Sequence, residues 1–253
     1  MSKLPKNHQF IDLSDYGRSP ARFIANSLKN TNCTPIHVTI AFIISGMMAI
    51  ACMVYGYFWA AAFFLIFKSI LDAADGELAR VKNTPSYTGR YFDSVADIIL
   101  NLFIFIALWQ ITNANLGYTI FAFLSIQLQG TLYNYYYVIL RNQVNGDTTS
   151  RVFENEIPIA MKGEKQTTVN ILFACYKALY GIFDKIIYIL DSNASESKYL
   201  PKWLMTGVST FGLGFQLLII SGMLVLGWKE YIIPFFISYS IMILVFIGIR
   251  KLL

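Results

Sequence analysis

The chain has 253 residues, of which 56% are hydrophobic and 14% charged, with a mean hydropathy of +0.51 and a net charge of +5. A soluble domain of this size carries about 25% charged residues, so the composition excludes an ordinary soluble globular protein. Long apolar blocks without strict alternation likewise exclude an outer-membrane barrel.

Residues 1–34 are polar and mixed, and do not read as a cleavable signal peptide. Within them, Ile11, Leu13, Phe23, Ile24 and Leu28 alternate with Asp12, Asp15, Arg18 and Arg22. This pattern predicts an amphipathic interfacial segment over Ile11–Leu28, with Pro20 in the first turn of a helix. Six apolar blocks follow, at Ile36–Tyr55, Trp59–Ala79, Tyr91–Ile111, Tyr118–Leu140, Leu204–Leu226 and Tyr231–Ile249. Each is close to the roughly 20 residues that cross a hydrocarbon layer as a helix. Trp59, Trp109, Trp203 and Trp228 fall near block ends, where amphipathic rings prefer the headgroup level.

Between the fourth and fifth blocks lies an insertion at about 142–202. Asn142–Thr167, with Gly146, Pro158 and Gly163, reads as a polar loop. Over Thr168–Asp191 the residues Asn170, Lys177, Asp184 and Asp191 recur every seven positions on an otherwise apolar background. That stripe predicts a helix lying in the membrane surface, with a seventh span as the rival reading. The expected fold class is therefore all-α: a polytopic membrane protein with six transmembrane helices over residues 35–253, plus interfacial amphipathic helices.

With six spans and both termini on one side, only Lys229 of the 20 basic residues falls on the opposite side. Lys68 lies within a span, which leaves 18 on the terminal side. The asymmetry places both termini and the long loop in the cytoplasm. Basic residues facing anionic lipid also account for the net charge, so no nucleic-acid partner is needed.

The chemistry is concentrated between Asp72 and Asp97. Asp72 and Asp75 are three apart at the end of the second block, and Asp93 and Asp97 are four apart at the start of the third. Each pair shares a helix face. The connection Val81–Arg90, with Pro85 and Gly89, turns the chain so that the two helices run antiparallel and four carboxylates meet near the cytoplasmic surface. Carboxylates so placed repel one another unless cations neutralise them. Their oxygens suit Mg²⁺, Mn²⁺ or Ca²⁺, and two such ions about 4 Å apart clamp a phosphate and stabilise its attacking and leaving oxygens. Gly76 and Ala79 clear a helix surface for a ligand, and Arg80 presents a planar fork suited to phosphate. A single Asp at a helix end is usually a cap or a solvated anchor. Four in two helical pairs beside an arginine point to function.

The run D-x2-D-G-x2-A-R-x8-G-x3-D-x3-D, from Asp72 to Asp97, resembles the signature of the CDP-alcohol phosphotransferases, with every fixed position filled. Thr34-Pro35-Ile36-His37-Val38-Thr39 also resembles the element that often opens the family's first span, with Ile36 in place of the usual Asn. The resemblance implies a homodimeric enzyme of phospholipid synthesis. In that family setting Asp72, Asp75 and Asp93 bind two divalent ions, Mg²⁺ or Mn²⁺, and Asp97 lies near the metals as general base. Gly76, Ala79, Arg80 and Gly89, with Asp72 and Asp75, shape the CDP site, and CMP is the leaving group.

Other polar residues have plainer readings beside functional ones. Lys68 forms an ion pair with Asp72 one turn later or contacts the donor phosphate. Glu77, at a variable motif position, is expected to be solvated. Tyr133, Asn134, Tyr135, Tyr136, Tyr137 and Arg141 read as an interfacial aromatic belt with a basic anchor, ahead of a substrate wall. Arg141 and Arg151 are candidate phosphate or acceptor contacts. Gln127 and Gln129 are expected to face the bundle, and the isolated His8 and His37 support no metal site. Cys33, Cys52 and Cys175 show no paired or metal-ligand spacing.

Two reactions fit the motif. One moves phosphatidyl from CDP-diacylglycerol to a small polar alcohol; the other moves phosphocholine or phosphoethanolamine from a CDP-alcohol to diacylglycerol. Chain length favours the first. A cation transporter, the third reading, would place its carboxylates at the bilayer centre between broken helices, not at one surface beside an arginine.

Overall fold

The computed structural model describes residues 4–144, 154, 156–196 and 200–253, and these are helical, with no strand among them. The N-terminal arm carries a short 3-10 turn at Leu13–Asp15 and then helix α1, Arg18–Leu28. Pro20 lies in the first turn of α1, which buries only Ala21 and Ala25 and leaves Phe23 exposed.

Helix α2, Pro35–Val54, opens with Pro35 in its first turn and a reciprocal cap between Thr34 and His37. The Thr34 amide donates to His37 Nδ1 at 3.0 Å, which gives that isolated histidine a structural role. Gly56, at φ +79°, turns the chain into α3, Phe58–Val81. Helices α4, Tyr87–Thr112, and α5, Leu116–Gln143, complete the next pair. All four lie within a few residues of their expected bounds. Helix α6 covers Gln166–Leu190.

The last two passes are interrupted. The expected fifth span divides into α7, Lys202–Val208, a 3-10 turn at Ser209–Phe211, and α8, Leu213–Val225, bent by 53°. The N-terminal arm causes the break. The Leu13 amide donates to Ser209 Oγ at 2.9 Å, and a Cβ on Gly214 would lie 2.0 Å from the Ser14 carbonyl oxygen. The final pass is α9, Ile232–Tyr239, then α10, Ile241–Leu252, jointed at Ser240. There Gln129 Nε2 donates to Ser240 Oγ (2.9 Å) and to the Phe236 carbonyl (3.2 Å). Gln216 Nε2 in turn reaches Gln129 Oε1 at 3.1 Å. Gln127 and Gln129 are both buried inside the bundle, as expected.

Among the described residues, three helical stretches are long and apolar enough to cross a membrane: α2, α4 and the α9–α10 pass at Lys229–Leu252. The bent α7–α8 pair makes a fourth. Helices α3 and α5, at 24 and 28 residues, have the length of a span. Lys68, Asp72, Asp75, Glu77 and Arg80 break the apolar run of α3. The outward faces carry exposed Ile44, Phe63, Ile120 and Leu244. Apolar surface on that scale belongs against lipid, and the chain is an integral membrane protein.

Contacts order the passes end to end. At one end, Lys82 Nζ donates to the carbonyls of Thr31 and Cys33, both at 2.7 Å, tying the α3 terminus to the start of α2. At the other, Lys229 Nζ donates to the Ile111 carbonyl at 2.8 Å. Both ends of α6 meet the first of these. Glu164, just before α6, accepts from Ser86 Oγ and the Thr88 amide, each at 2.7 Å, at the N-terminus of α4. Asp191, just after it, accepts from Tyr136 Oη (2.6 Å) and Arg250 Nε (2.8 Å), near the C-termini of α5 and α10. A 25-residue helix is about 37 Å long, so α6 lies across the end of the bundle and does not run through it. That course runs with the interfacial expectation for this segment and against a seventh pass through the bundle.

The heptad stripe needs correction at its last member. Asn170 and Lys177 are exposed, but Asp191 is fully buried in its pair with Arg250. The aromatic belt is also overturned. Tyr135, Tyr136 and Tyr137 are buried, Tyr135 donating to the Asp191 carbonyl at 3.1 Å, and Tyr133 donates to Asp12 Oδ2 at 2.5 Å. The N-terminal arm, α6 and α10 cover the end of α5 that a bare hydropathy plot leaves to lipid headgroups.

Replacing Gly214 by Ala drives a methyl into the Ser14 backbone and should destabilise the protein by about 1–3 kcal/mol. Thermal unfolding in detergent reads this directly. Gly222→Ala, with open space around it, should show no loss.

Burial raises the Glu164 carboxyl, but hydrogen bonds from Ser86, the Met161 amide and the Thr88 amide outweigh it and hold it below the usual carboxylate range. A depressed folded-state value stabilises above the unfolded value, about 4.3, and that stability is lost as pH falls below it. Glu164→Gln should flatten the decline of melting temperature on acidification through this window.

Candidate active site

The antiparallel pair α3–α4 fixes the site. Asn83, at φ +52°, bends the connection, and Ser86 caps α4 by accepting from the Gly89 amide at 2.8 Å. A Cβ on Gly89 would lie 3.2 Å from Ser86 Oγ, so this glycine leaves room for the cap. Arg90 Nη2 donates to Glu154 Oε1 (2.5 Å) and Tyr91 Oη to Glu154 Oε2 (3.0 Å), holding Glu154 against the first turns of α4.

Three of the four expected carboxylates converge. One oxygen each from Asp72, Asp93 and Asp97 lie within 4.8 Å of one another, and all three residues are half-buried. Asp93 Oδ1 is fully enclosed and has no hydrogen-bond partner. A buried carboxylate oxygen without a donor is costly. A hard oxygen-donor set with one such atom fits a divalent cation.

Asp75 stands one step apart, outside that group of three. It is buried, and Thr39 Oγ1 donates to its Oδ2 at 2.5 Å. Thr39 is the last residue of the Thr34–Thr39 run, and nothing in the sequence marked it as a partner of the motif. The separation of Asp75 has a simple cause. Its neighbour Asp72 faces α4, whereas Asp75, one turn on, faces α2 across the same helix.

Lys68 is 1% exposed, and its ammonium donates to Asp97 Oδ1. It stays 3.9 Å from Asp72 Oδ2 and 4.8 Å from the centre of the Phe42 ring. The expected ion pair with Asp72 is therefore the weaker contact, and Asp97 is the principal partner. A buried ammonium needs such a partner, and here it also offsets the repulsion among the carboxylates.

Glu77 overturns its expectation. It is 2% exposed, and Oε1 lies 3.3 Å from Arg80 Nη2, 3.4 Å from Arg18 Nη1 and 3.6 Å from Arg22 Nε. Helix α1 packs over this side of α3, so the variable motif position is enclosed. The Arg80 guanidinium folds back over Gly76, where a Cβ would lie 3.5 Å from Nη1. Ala79 is half-buried between them.

Arg141 is nearly buried, 5.4 Å from the centre of the Tyr137 ring. Asp12, Asp15 and Arg18 of the N-terminal arm act electrostatically on that same tyrosine. It is an internal residue of that corner, not an exposed anchor. Arg151 lies outside the described residues.

A tyrosine that sequence reasoning passed over closes the site from above. Tyr180 of α6 donates to the Ser94 carbonyl at 2.9 Å. Burial, then the nearby charge of Asp97, pushes its phenol well above the usual value, so it stays protonated. Tyr176 and Tyr180 stack with centroids 5.0 Å apart, and Tyr176 meets Tyr91 at 5.3 Å. The signal was the apolar set Val169, Phe173, Tyr176, Phe183 and Ile187, which the heptad of polar residues obscured.

The fold and the site together define a helical membrane bundle with convergent aspartates at one end of two antiparallel helices. A family model described as CDP-alcohol phosphatidyltransferase matches residues 32–207, more than half of the chain. The chain belongs to the CDP-alcohol phosphatidyltransferase family, whose members transfer a phosphate-linked group from a CDP-alcohol to an acceptor. No curated protein matches the chain.

The Thr39–Asp75 bond is a hydrogen bond to a charged group, about 1.5–3 kcal/mol. Thr39→Val should lower CMP release at least about tenfold if Asp75 must keep its orientation. Thr39→Ser, which restores the hydroxyl, should recover most of it.

Proposed function

We propose that the protein transfers phosphatidyl from CDP-diacylglycerol to the hydroxyl of a small polar alcohol and releases CMP. The observation that carries this reading is the convergence of Asp72, Asp93 and Asp97 around a buried, unpartnered carboxylate oxygen beside the Gly76–Arg80 element.

In this reading Asp72, Asp75 and Asp93 hold two divalent ions, Mg²⁺ or Mn²⁺, with Asp97 at their edge. Held there, such ions would supply positive charge against the transferred phosphate and the departing CMP. Arg80 binds donor phosphate oxygens with its guanidinium fork. Gly76, Ala79 and Gly89 leave space for the cytidine diphosphate to approach the backbone. Asp97 accepts the proton of the acceptor hydroxyl as its oxygen attacks the lipid-bearing phosphorus. One P–O bond forms, the P–O bond to CMP breaks, and the proton rests on Asp97. Lys68, which donates to Asp97 Oδ1, orients Asp97 before the acceptor arrives.

We read α2, α3, α4, α5, α7–α8 and α9–α10 as six spans, with both termini and the site in the cytoplasm. The basic residues gathered at the aspartate end support this orientation. It brings soluble nucleotide, polar acceptor and membrane lipid to one surface. Family resemblance also supports a homodimer.

Purified protein incubated with labelled CDP-diacylglycerol and, separately, CDP-ethanolamine should release CMP from the first when polar alcohols are supplied. Release from CDP-ethanolamine and diacylglycerol alone would overturn the assignment of the donor. Asp97→Asn should reduce turnover at least about a thousandfold, consistent with loss of a positioned base, while the protein still elutes as a folded particle. Normal turnover in that variant would remove Asp97 from the role of base.

A further inference from the structure

Glu77 occupies a motif position that the proposed reaction leaves unused, yet it is among the most deeply buried carboxylates in the chain. A buried carboxylate is costly unless cations and hydrogen bonds compensate. Glu77 has three guanidinium groups around one oxygen: Arg80 at 3.3 Å from its own helix, and Arg18 and Arg22 at 3.4 and 3.6 Å from α1.

These contacts differ in kind. Arg22 is half exposed and Arg18 also pairs with Asp15, so both have solvent or another carboxylate to satisfy them. Arg80 is 21% exposed, its guanidinium rests over Gly76, and its Nε is buried with no hydrogen-bond partner. A fork held at one edge by Glu77, with a buried donor left over, is set to receive a further acceptor. The spacing explains the hold. Residues three apart on a helix share a face, so Glu77 pulls the Arg80 side chain back along α3 toward Asp75 and away from the solvent beyond the helix end.

We infer that Glu77 is a positioning residue whose buried carboxylate orients the Arg80 guanidinium toward the phosphates of the CDP-linked donor, an inference that rests on the functional reading above. Glu77 touches neither donor nor acceptor. It acts by removing the freedom of a long side chain that otherwise loses entropy when donor binds. Its loss therefore weakens the donor complex and leaves the acceptor site and the proton transfer at Asp97 unchanged.

The competing explanation is that Glu77 only fastens α1 to α3. Three proteins separate the two: wild type, Glu77→Gln, and the double variant Arg18→Gln/Arg22→Gln, which cuts the α1 contacts but keeps Glu77 with Arg80. CMP release is measured in mixed micelles as donor and acceptor concentrations are varied independently. Failure of the wild type to release CMP from any CDP-linked donor sinks the functional reading itself. Given wild-type turnover, Glu77→Gln should raise KM for the donor about tenfold, as expected for a lost charge-assisted contact, with kcat and acceptor KM within about twofold. The double variant should keep donor KM within about twofold of wild type. An unchanged donor KM in Glu77→Gln, or the same rise in the double variant, overturns the inference. If Glu77→Gln elutes as aggregate, Glu77→Asp replaces it. That variant keeps the charge but sets it back by one methylene, and the same two outcomes decide.

Discussion

Like charges placed side by side at the edge of a low-dielectric layer dominate this molecule. Asp72, Asp93 and Asp97 approach within a few ångströms, and Asp75 is one turn away. Each carboxylate raises the cost of ionising the others, and burial raises it further. The protein meets this cost locally with Lys68, drawn back from one turn earlier on α3 until its ammonium reaches Asp97. Much of the rest follows. Helix α2 must lie close enough for Thr39 to hold Asp75, and α6 must lie close enough for Tyr180 to cover the far side. The α3–α4 connection must hold both helix ends at one depth. One ammonium among several carboxylates leaves negative charge in excess, and divalent ions match that excess in sign and donor preference.

A second constraint comes from the N-terminal arm. Its residues 13–15 sit where a straight fifth span would otherwise run, and two close glycines, Gly212 and Gly214, let the backbones meet. The bend between α7 and α8 thus has a packing cause and is not a sign of weak helix propensity. The same arm presents Asp12 to Tyr133 and Arg18 to Glu77. It therefore connects α3, α5 and α8 around the mouth of the site, and it couples helix α1 to the residues that bracket Arg80.

The parts legible in the sequence were those governed by short-range periodicity. Helix positions followed from apolar run length, and the approach of Asp93 and Asp97 to one site followed from their spacing of four; the spacing of three did not keep Asp72 and Asp75 together, since Asp75 turns to Thr39. What escaped was set by contacts between distant segments. Thr39 has no local feature that distinguishes it from any other threonine in a span; only the packing of α2 on α3 gives it Asp75. Glu77 read as solvated because it lies near a helix end, and α1, 50 or more residues earlier, is what buries it. The tyrosines at the end of α5 have the composition of an interfacial belt, yet Asp191, Arg250 and Asp12 arrive from three other segments and take their hydroxyls. The break at Gly212 was hidden for the same reason, since hydropathy counts apolar residues and does not see a chain wedged between them.

The two ends of the bundle carry unequal amounts of structure, and this bears on mechanism. At the end away from the aspartates, residues 55–57 and 113–115 suffice to turn the chain, and a single lysine, Lys229, ties a carbonyl. At the aspartate end lie the N-terminal arm, α1, Glu154, Glu164 and all of α6. A helix laid across that end over Tyr91 and Ser94 restricts approach to the carboxylates from directly above. Its outward face mixes exposed Ile171, Ile182 and Ile189 with exposed Asn170 and Lys177. Approach is then left to the flanks, between α6 and its neighbours or past the arm by Arg80. Under the proposed function, a long amphipathic substrate entering from the bilayer meets the first route, and a charged nucleotide meets the second. An enzyme that joins a lipid and a water-soluble group must admit both and keep bulk water from competing with the acceptor hydroxyl. The uneven distribution of structure between the two ends suits that requirement.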